Sequence, residues 1–237
     1  MSTILAIETS ADLASAALLS NGALTVRESA GVANHSQTIL PMVQELLRDA
    51  GVALADCDAI AFGSGPGSFT GVRTACGIAQ GLAFGAELPL LPTVTLLALA
   101  RACHEQSGAA EVLAIIDARM GEVYWAQYRF GTDADWQIVV EPTLSSASDV
   151  AAIGTPVACG NGLKAYEPDF AGRAFFEKTW ADLVPHAAQV ATLGATAFAR
   201  GDGVYADAAE PLYLRNKVAL TTSERMAKAE AARRETA

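Results

Sequence analysis

Short apolar stretches separated by tight turns open the chain. They cover residues 3–10, 14–19 and 23–28, and Asn21-Gly22 joins the second stretch to the third. Asn-Gly favours a tight hairpin because both residues tolerate a positive φ. The pattern therefore predicts three antiparallel strands at the start of the chain.

A segment with the residue spacing of a helix follows these strands. Apolar residues recur at three- and four-residue intervals over residues 36–50, and Gly51 stands where a helix would end. Pro41 lies early in this segment, so we expect the helix to kink or to begin later. A buried strand is predicted at residues 58–62, then a glycine-rich loop at 63–68 and an apolar helix at 69–85. A third helix is predicted over residues 94–104.

The opening pattern returns in the second half of the chain. Residues 112–117 form an apolar run that ends in an acid, and two further strands are predicted at 122–130 and 136–140. Such a repeat indicates two similar lobes, which we place at residues 1–105 and 106–237. The second lobe also carries a predicted strand at 157–159, a helix at 187–200 and a charged tail after residue 222, which predicts a solvated helix.

Composition and charge narrow the class of protein. The chain has 237 residues, of which 51% are hydrophobic and 18% charged, so it is expected to bury a core. No window approaches the roughly 18–20 apolar residues of a membrane span, and we expect a cytoplasmic protein without membrane contact. The net charge of −10 opposes direct binding to a polyanion, so any service to nucleic acid is expected to go through a partner.

The loop at residues 63–68 is the first candidate site. It joins a strand to a helix through several glycines, which is the arrangement of an anion-binding helix N-terminus, with Gly65, Gly67 and Ser68 as its residues. The loop lacks the Lys of a Walker motif, and Thr70 stands where a dinucleotide fingerprint needs a third Gly. The alternative, which the pattern favours, is that Ser68 caps the helix and the glycines allow a sharp turn.

A glycine stripe is the second candidate site. Gly77, Gly81 and Gly85 recur every fourth residue, although each costs a helix roughly 1 kcal/mol relative to Ala. Close backbone approach compensates for that cost. The approaching element is either part of this chain or a second protein, and the pattern leaves both open. The broad apolar surface of the helix at 36–50 gives some support to a partner.

Catalytic residues are harder to find. His35, His104 and His186 are far apart, which predicts no metal site, and Gly65-Pro66-Gly67-Ser68-Phe69 places Ser one residue too late for a nucleophile elbow. The best remaining candidates are the strand-end acids Glu8 and Asp117, which two lobes would direct into one cleft to bind magnesium or orient water. Strand-end acids more often cap turns.

The ordered motifs of the chain resemble those of the TsaB (YeaZ) family. The most diagnostic is GPGSFTGVR at residues 65–73. The others are ILAIETS at 4–10, His35-Ser36, IDAR at 116–119, GEVY at 121–124, GNG at 160–162 and Tyr213-Leu214-Arg215. Together they span nearly the whole chain. The resemblance implies an α/β fold of the actin-like, sugar-kinase-like class, built from two ribonuclease-H-like lobes.

The resemblance also implies a function. TsaB serves threonylcarbamoyl modification of the adenosine next to the anticodon in tRNAs that read codons beginning with A, as a non-catalytic partner of the transferase TsaD. The ATPase TsaE joins them, and tRNA is bound through the complex. TsaB alone forms homodimers. TsaD holds its metal with a His-x-x-x-His pair, which this sequence lacks at residues 94–99. ATP or ADP is expected only within the complex.

The resemblance places the partner interface on the helices at residues 36–50 and 68–85. The expected interface residues are Ile39, Leu40, Val43, Leu47, Arg73, Gly77, Gly81 and Gly85. Glu8 departs from the family, which usually has Asp there, and the longer side chain weakens the case for a metal-bridged nucleotide. Two rival functions remain: an ATP-dependent phosphotransferase or ATPase working between the lobes, and a metallopeptidase.

Overall fold

The computed structural model describes residues 2–30, 35–132 and 135–215, and it contains two five-stranded mixed sheets. The first sheet has the order β3-β2-β1-β4-β5. Its strands are β1 (Ile4–Glu8), β2 (Leu13–Ser20), β3 (Ala23–Ala30), β4 (Ala59–Gly65) and β5 (Leu90–Val94). Strand β2 runs antiparallel to both β1 and β3, whereas β4 runs parallel to both β1 and β5.

The second sheet repeats this topology. Its order is β8-β7-β6-β9-β10, in which β6, β7 and β8 are antiparallel and β9 and β10 are parallel additions. The strands are β6 (Glu111–Arg119), β7 (Glu122–Phe130), β8 (Trp136–Ser146), β9 (Val157–Cys159) and β10 (Thr179–Trp180). The predicted repeat of the opening pattern is therefore confirmed at the level of topology, and the α/β fold class with it.

Six helices lie in the described residues. They are α1 (His35–Ala50), α2 (Phe69–Ala86), α3 (Thr95–Ser107), α4 (Gly162–Ala165), α5 (Glu167–Phe170) and α6 (Ala187–Arg200), with short 3₁₀ turns at Leu54–Asp56, Ala147–Asp149 and Ala174–Phe176. Helices α1 and α2 pack on one face of the first sheet and α6 on the other. Helix α3 packs against α6 and against the second sheet, so it connects the two cores.

Most predicted elements are confirmed. Asn21 and Gly22 have φ values of 52° and 80°, as the hairpin requires, and α6 has the predicted bounds. Pro41 lies inside α1, which continues through it from His35. The predictions missed strands β5 and β10 and the short helices α4 and α5, while the tail after residue 222 lies outside the described residues. No helix in the described ranges is long and apolar enough to cross a membrane.

The division into lobes at residue 105 stays a prediction. Helix α6 comes from the second half of the chain, yet its buried residues Val190 and Ala191 join Ile4 and Ala61 of the first sheet in one apolar cluster. Gly194 permits this packing, because a Cβ there would lie 2.6 Å from the Cβ of Ala61. The second half of the chain therefore contributes directly to the core around the first sheet.

Candidate functional site

A cleft of about 400 Å³ lies where the two halves of the chain meet. Its walls come from the β1–β2 turn, the N-terminus of α2, the end of β6 and the last described residues. The polar and charged side chains that line it are Ser10, Asp12, Ser68, Asp117, Arg119, Tyr124, Asn161, Tyr213 and Arg215. The two-lobe prediction expected Glu8 and Asp117 to share a cleft between the halves of the chain.

Asp117 lines the cleft, but its carboxylate already has partners. Oδ1 accepts hydrogen bonds from the Tyr166 hydroxyl at 2.9 Å and from the Arg119 backbone N–H at 2.7 Å, and Oδ2 pairs with the Arg119 guanidinium at 3.1 Å. The Asp117 backbone N–H donates to Asn161 Oδ1 at 3.0 Å. These bonds hold the turn after β6, so the structure matches the alternative in which the strand-end acid stabilises a turn.

Glu8 does not line the cleft. Its side chain is fully buried, Oε1 accepts a 2.6 Å hydrogen bond from the Ser10 N–H, and Oε2 faces the Thr95 hydroxyl at 3.5 Å. Gly63 makes room for it, since a Cβ at residue 63 would overlap the carboxylate. Burial raises the pKa of this carboxyl above its ordinary value of 4.5. The expectation that Glu8 and Asp117 share the cleft is therefore wrong.

Glu8→Gln is expected to stabilise the protein at neutral and alkaline pH. Because the folded pKa is raised, the unfolded chain ionises first as the pH rises above 4.5, and the buried group then costs folding free energy. Glutamine keeps an acceptor for the Ser10 N–H and carries no charge. We expect a higher free energy of unfolding than that of the wild type at pH 8, and no such gain below pH 4.5, measured by urea unfolding. Equal effects at both pH values would contradict this assignment.

The glycine-rich loop before α2 is packed against the β1–β2 turn. A Cβ at Gly67 would lie 2.7 Å from the Ser10 Cβ, a Cβ at Gly71 would overlap the Thr9 carbonyl, and the Ser68 N–H donates to the Ser10 carbonyl at 2.8 Å. Ser68 caps α2 by accepting from the Gly71 N–H at 3.4 Å. The structure thus explains these glycines by close packing. Anion binding at Gly65, Gly67 and Ser68 stays a prediction.

The stripe of Gly77, Gly81 and Gly85 on α2 faces open space. A Cβ at any of these three positions would meet nothing within 4 Å. The described residues therefore do not supply the tight packing inside this chain that the alternative requires. Phe84 stands beside it with 81% of its surface exposed. We call the exposed side of α2 formed by Arg73, the three glycines and Phe84 the docking face.

Helix α1 contributes less to the surface than its residue pattern indicated. Ile39 and Val43 are buried in the core between α1, α2 and the first sheet. Leu47 is partly buried against the same core, and Leu40 is 42% exposed. In the described chain, Ile39 and Val43 therefore have almost no surface to offer to a partner, and Leu40 is the apolar α1 residue of the predicted set that a partner would meet.

A segment from the end of the described chain, residues 204–215, runs antiparallel to α2, and we call it the strap. Arg73 Nε donates to the Tyr213 hydroxyl at 2.8 Å, and Gln80 Nε2 donates to the carbonyls of Ala206 and Ala209 at 2.9 and 3.0 Å. The Leu212 N–H also donates to the Ser64 carbonyl at 2.7 Å. The strap therefore borders both the docking face and the cleft.

Sequence reasoning missed the strap residue Tyr205, and it found Tyr213 only as part of the motif Tyr213-Leu214-Arg215, without its contact with α2. Tyr205 is 83% exposed beside Val204 and Ala206, which pack against the core under α2. Both tyrosines lie more than a hundred residues from α2 in sequence. Their exposed rings in a short segment without regular structure carried no periodic signal.

Each of the three histidines makes a contact that supports the fold. His35 begins α1, His104 stacks on Phe130 with ring centroids 4.2 Å apart, and the His186 side chain caps α6 by accepting from the Ala188 N–H. Within residues 2–30, 35–132 and 135–215, no group of three or more His, Cys, Asp or Glu side chains is placed to hold a metal ion.

Comparison with known proteins completes the description of the site. A family model described as TsaD, tRNA N6-adenosine threonylcarbamoyltransferase, matches residues 25–224. The tRNA threonylcarbamoyladenosine biosynthesis protein TsaB of Escherichia coli is 41% identical over 222 residues, covering 91% of this chain and 96% of that protein. The chain belongs to the TsaB family. The protein of the same description from Haemophilus influenzae is 40% identical over 229 residues, covering 91% of this chain and 94% of its own.

Solved structures agree with the family. YeaZ from Pseudomonas aeruginosa is similar with a TM-score of 0.84 and 40% identity, covering 90% of this chain and all of that one. A second Pseudomonas aeruginosa structure, described as an uncharacterized protein with similarity to peptidase YeaZ, has a TM-score of 0.85 and 41% identity, covering 91% of this chain and all of its own. Membership of the TsaB family assigns the chain a role in tRNA threonylcarbamoyladenosine biosynthesis.

Proposed function

We propose that this TsaB-family chain is a non-catalytic partner of TsaD in the threonylcarbamoyl modification of tRNA. The observation that carries the proposal is the docking face. Three glycines in one helix forgo about 1 kcal/mol each of helix stability, while nothing in the described chain approaches them. A second protein that packs closely against α2 explains this pattern.

TsaD itself is the expected occupant of the docking face. The family model that matches residues 25–224 of this chain is that of TsaD, so TsaD is expected to carry helices equivalent to α1 and α2. Two related helical faces without side chains at their centres bring backbones close and exclude water along the contact. The same face pairs two copies of this chain when TsaD is absent, and TsaE joins the assembled pair.

The cleft supports a non-catalytic role. Glu8 is buried away from it, and Asp117 is engaged by Arg119 and Tyr166. Arg215 pairs with Glu122 at 2.6 Å and donates to the Ala118 carbonyl at 3.1 Å. Asp117, Arg119 and Arg215 thus already have partners within the described chain. We propose that this chain binds no nucleotide alone and that ATP or ADP is held only within the complex.

Mixing the purified chain with TsaD tests the proposal. We expect one complex by size-exclusion chromatography with light scattering, and we expect added TsaD to dissociate homodimers of the chain because both use the docking face. Separate elution of the two proteins at all concentrations would contradict the proposal.

The rival functions have their own measurements. Stoichiometric ATP binding and turnover by the isolated chain would favour an ATPase or phosphotransferase, and equilibrium dialysis with a phosphate-release assay measures both. Elemental analysis of the purified chain addresses the metallopeptidase, because that activity requires a bound metal ion.

A further inference from the structure

Arg73 is held in one position at the edge of the docking face. Its guanidinium carbon lies 3.3 Å from the centroid of the Phe69 ring and 5.2 Å from that of the Tyr213 ring. Its Nε donates to the Tyr213 hydroxyl at 2.8 Å. Stacking and this hydrogen bond restrict the side chain, yet the residue stays exposed to solvent.

Arg73 differs from the other arginines in residues 2–30, 35–132 and 135–215. Most of those arginines form an ion pair with a carboxylate, and Arg173 instead donates from its terminal nitrogens to the carbonyls of Val150 and Ser148. Arg73 uses only Nε within the described chain. Its two terminal nitrogens therefore remain available in a fixed orientation.

A groove of about 410 Å³ opens beside this guanidinium, between α2 and the strap. It is lined by Arg73, Cys76, Gly77, Gln80, Ala209, Glu210, Pro211 and Tyr213. Gly77 lies one turn after Arg73 and presents no side chain, so an approaching backbone can come close to the groove. Arg73 is also the one charged residue of α2, in a chain of net charge −10.

We propose that Arg73 receives the carboxylate of an Asp or Glu side chain of TsaD that enters this groove, an inference that rests on the proposed function. The planar guanidinium matches a carboxylate with two parallel N–H donors. Stacking on Phe69 and Tyr213 lowers the entropy lost when that bond forms. Arg73 thus sets the position of the partner along the glycine stripe.

A phosphate of tRNA is the competing anion. Phosphate backbones are bound by clusters of Lys and Arg, because each neutralised phosphate adds to affinity. Arg73 is the one charged residue of α2, and the apolar Phe84 lies further along the same exposed side of the helix. These surroundings favour a protein carboxylate.

Titration calorimetry with TsaD tests the inference. Arg73→Gln is expected to weaken binding about 10- to 100-fold at low salt. Arg73→Lys is expected to weaken it less, because lysine keeps the charge but lacks the two parallel N–H donors. High salt is expected to weaken the wild-type complex more than the Arg73→Gln complex. Arg200→Gln, at the end of α6 on the opposite face of the first sheet, is the control and is expected to change affinity less than about 2-fold. Unchanged melting temperatures verify the fold.

Two results would overturn the inference without touching the proposed function. One is wild-type affinity of Arg73→Gln for TsaD. The other is normal TsaD binding by Arg73→Gln combined with loss of tRNA binding by the complex, which would assign the anion to RNA. Failure of the wild-type chain to bind TsaD would instead overturn the proposed function and this inference with it.

Discussion

Gly81→Leu is expected to abolish docking while leaving the fold intact. The new side chain extends into open space in the isolated chain, since a Cβ there meets nothing within 4 Å. Leucine is also a better helix former than glycine, so the free energy of unfolding should rise by about 0.5–1 kcal/mol. In the complex the same side chain holds the two backbones apart, and we expect the affinity for TsaD to fall by about 100-fold or more.

Calorimetry and thermal unfolding of the same preparation measure both effects of Gly81→Leu. Ala199→Leu is the matched control, because it adds a leucine to an exposed position of α6, on the opposite face of the first sheet. The control is expected to bind TsaD as the wild type does. An unfolded Gly81→Leu variant, or one that binds as tightly as the control, would contradict the docking face.

Gly71→Ala adds only one methyl group to α2, yet it is expected to destabilise the fold strongly. Its Cβ would overlap the carbonyl of Thr9, which is backbone and cannot rotate away, so α2 must shift from the β1–β2 turn. We expect a loss of about 2–4 kcal/mol in the free energy of unfolding. The measurement is urea unfolding at pH 7.

Gly77→Ala is the matched variant for Gly71→Ala. It makes the same chemical change six residues further along α2, where a Cβ meets nothing within 4 Å, and it is expected to stabilise the fold by about 0.5–1 kcal/mol. The contrast in sign separates glycines that pack inside the chain from glycines that face outward. Equal effects of the two variants would show that the packing of α2 differs from that described.

The repeated topology was predictable because its signals are local. Asn21-Gly22 specifies a hairpin, and continuous apolar runs ended by Glu8 and Asp117 mark the first strand of each sheet. Strand β5 was missed because it is five residues long and contains Pro92, and β10 because it has only two residues. Such strands form because the neighbouring strand is already in place, which is a tertiary effect.

The candidate site was predictable only in part. Gly71 and Gly81 belong to the same helix, and the sequence alone does not show that one packs against Thr9 while the other is open. That difference depends on how α2 is rotated relative to the sheet. The orientation of α1 likewise buries Ile39 and Val43 within the core. The contact of Arg73 with Tyr213 joins residues 140 positions apart, for which no short-range pattern exists.

The central claim is that this chain supports tRNA modification by docking to TsaD through α2. Its most direct test is nucleoside mass spectrometry of bulk tRNA from cells depleted of this protein. We predict loss of threonylcarbamoyladenosine that is restored by the wild-type chain and by Ala199→Leu but not by Gly81→Leu. Unchanged threonylcarbamoyladenosine after depletion, or full restoration by Gly81→Leu, would contradict the claim.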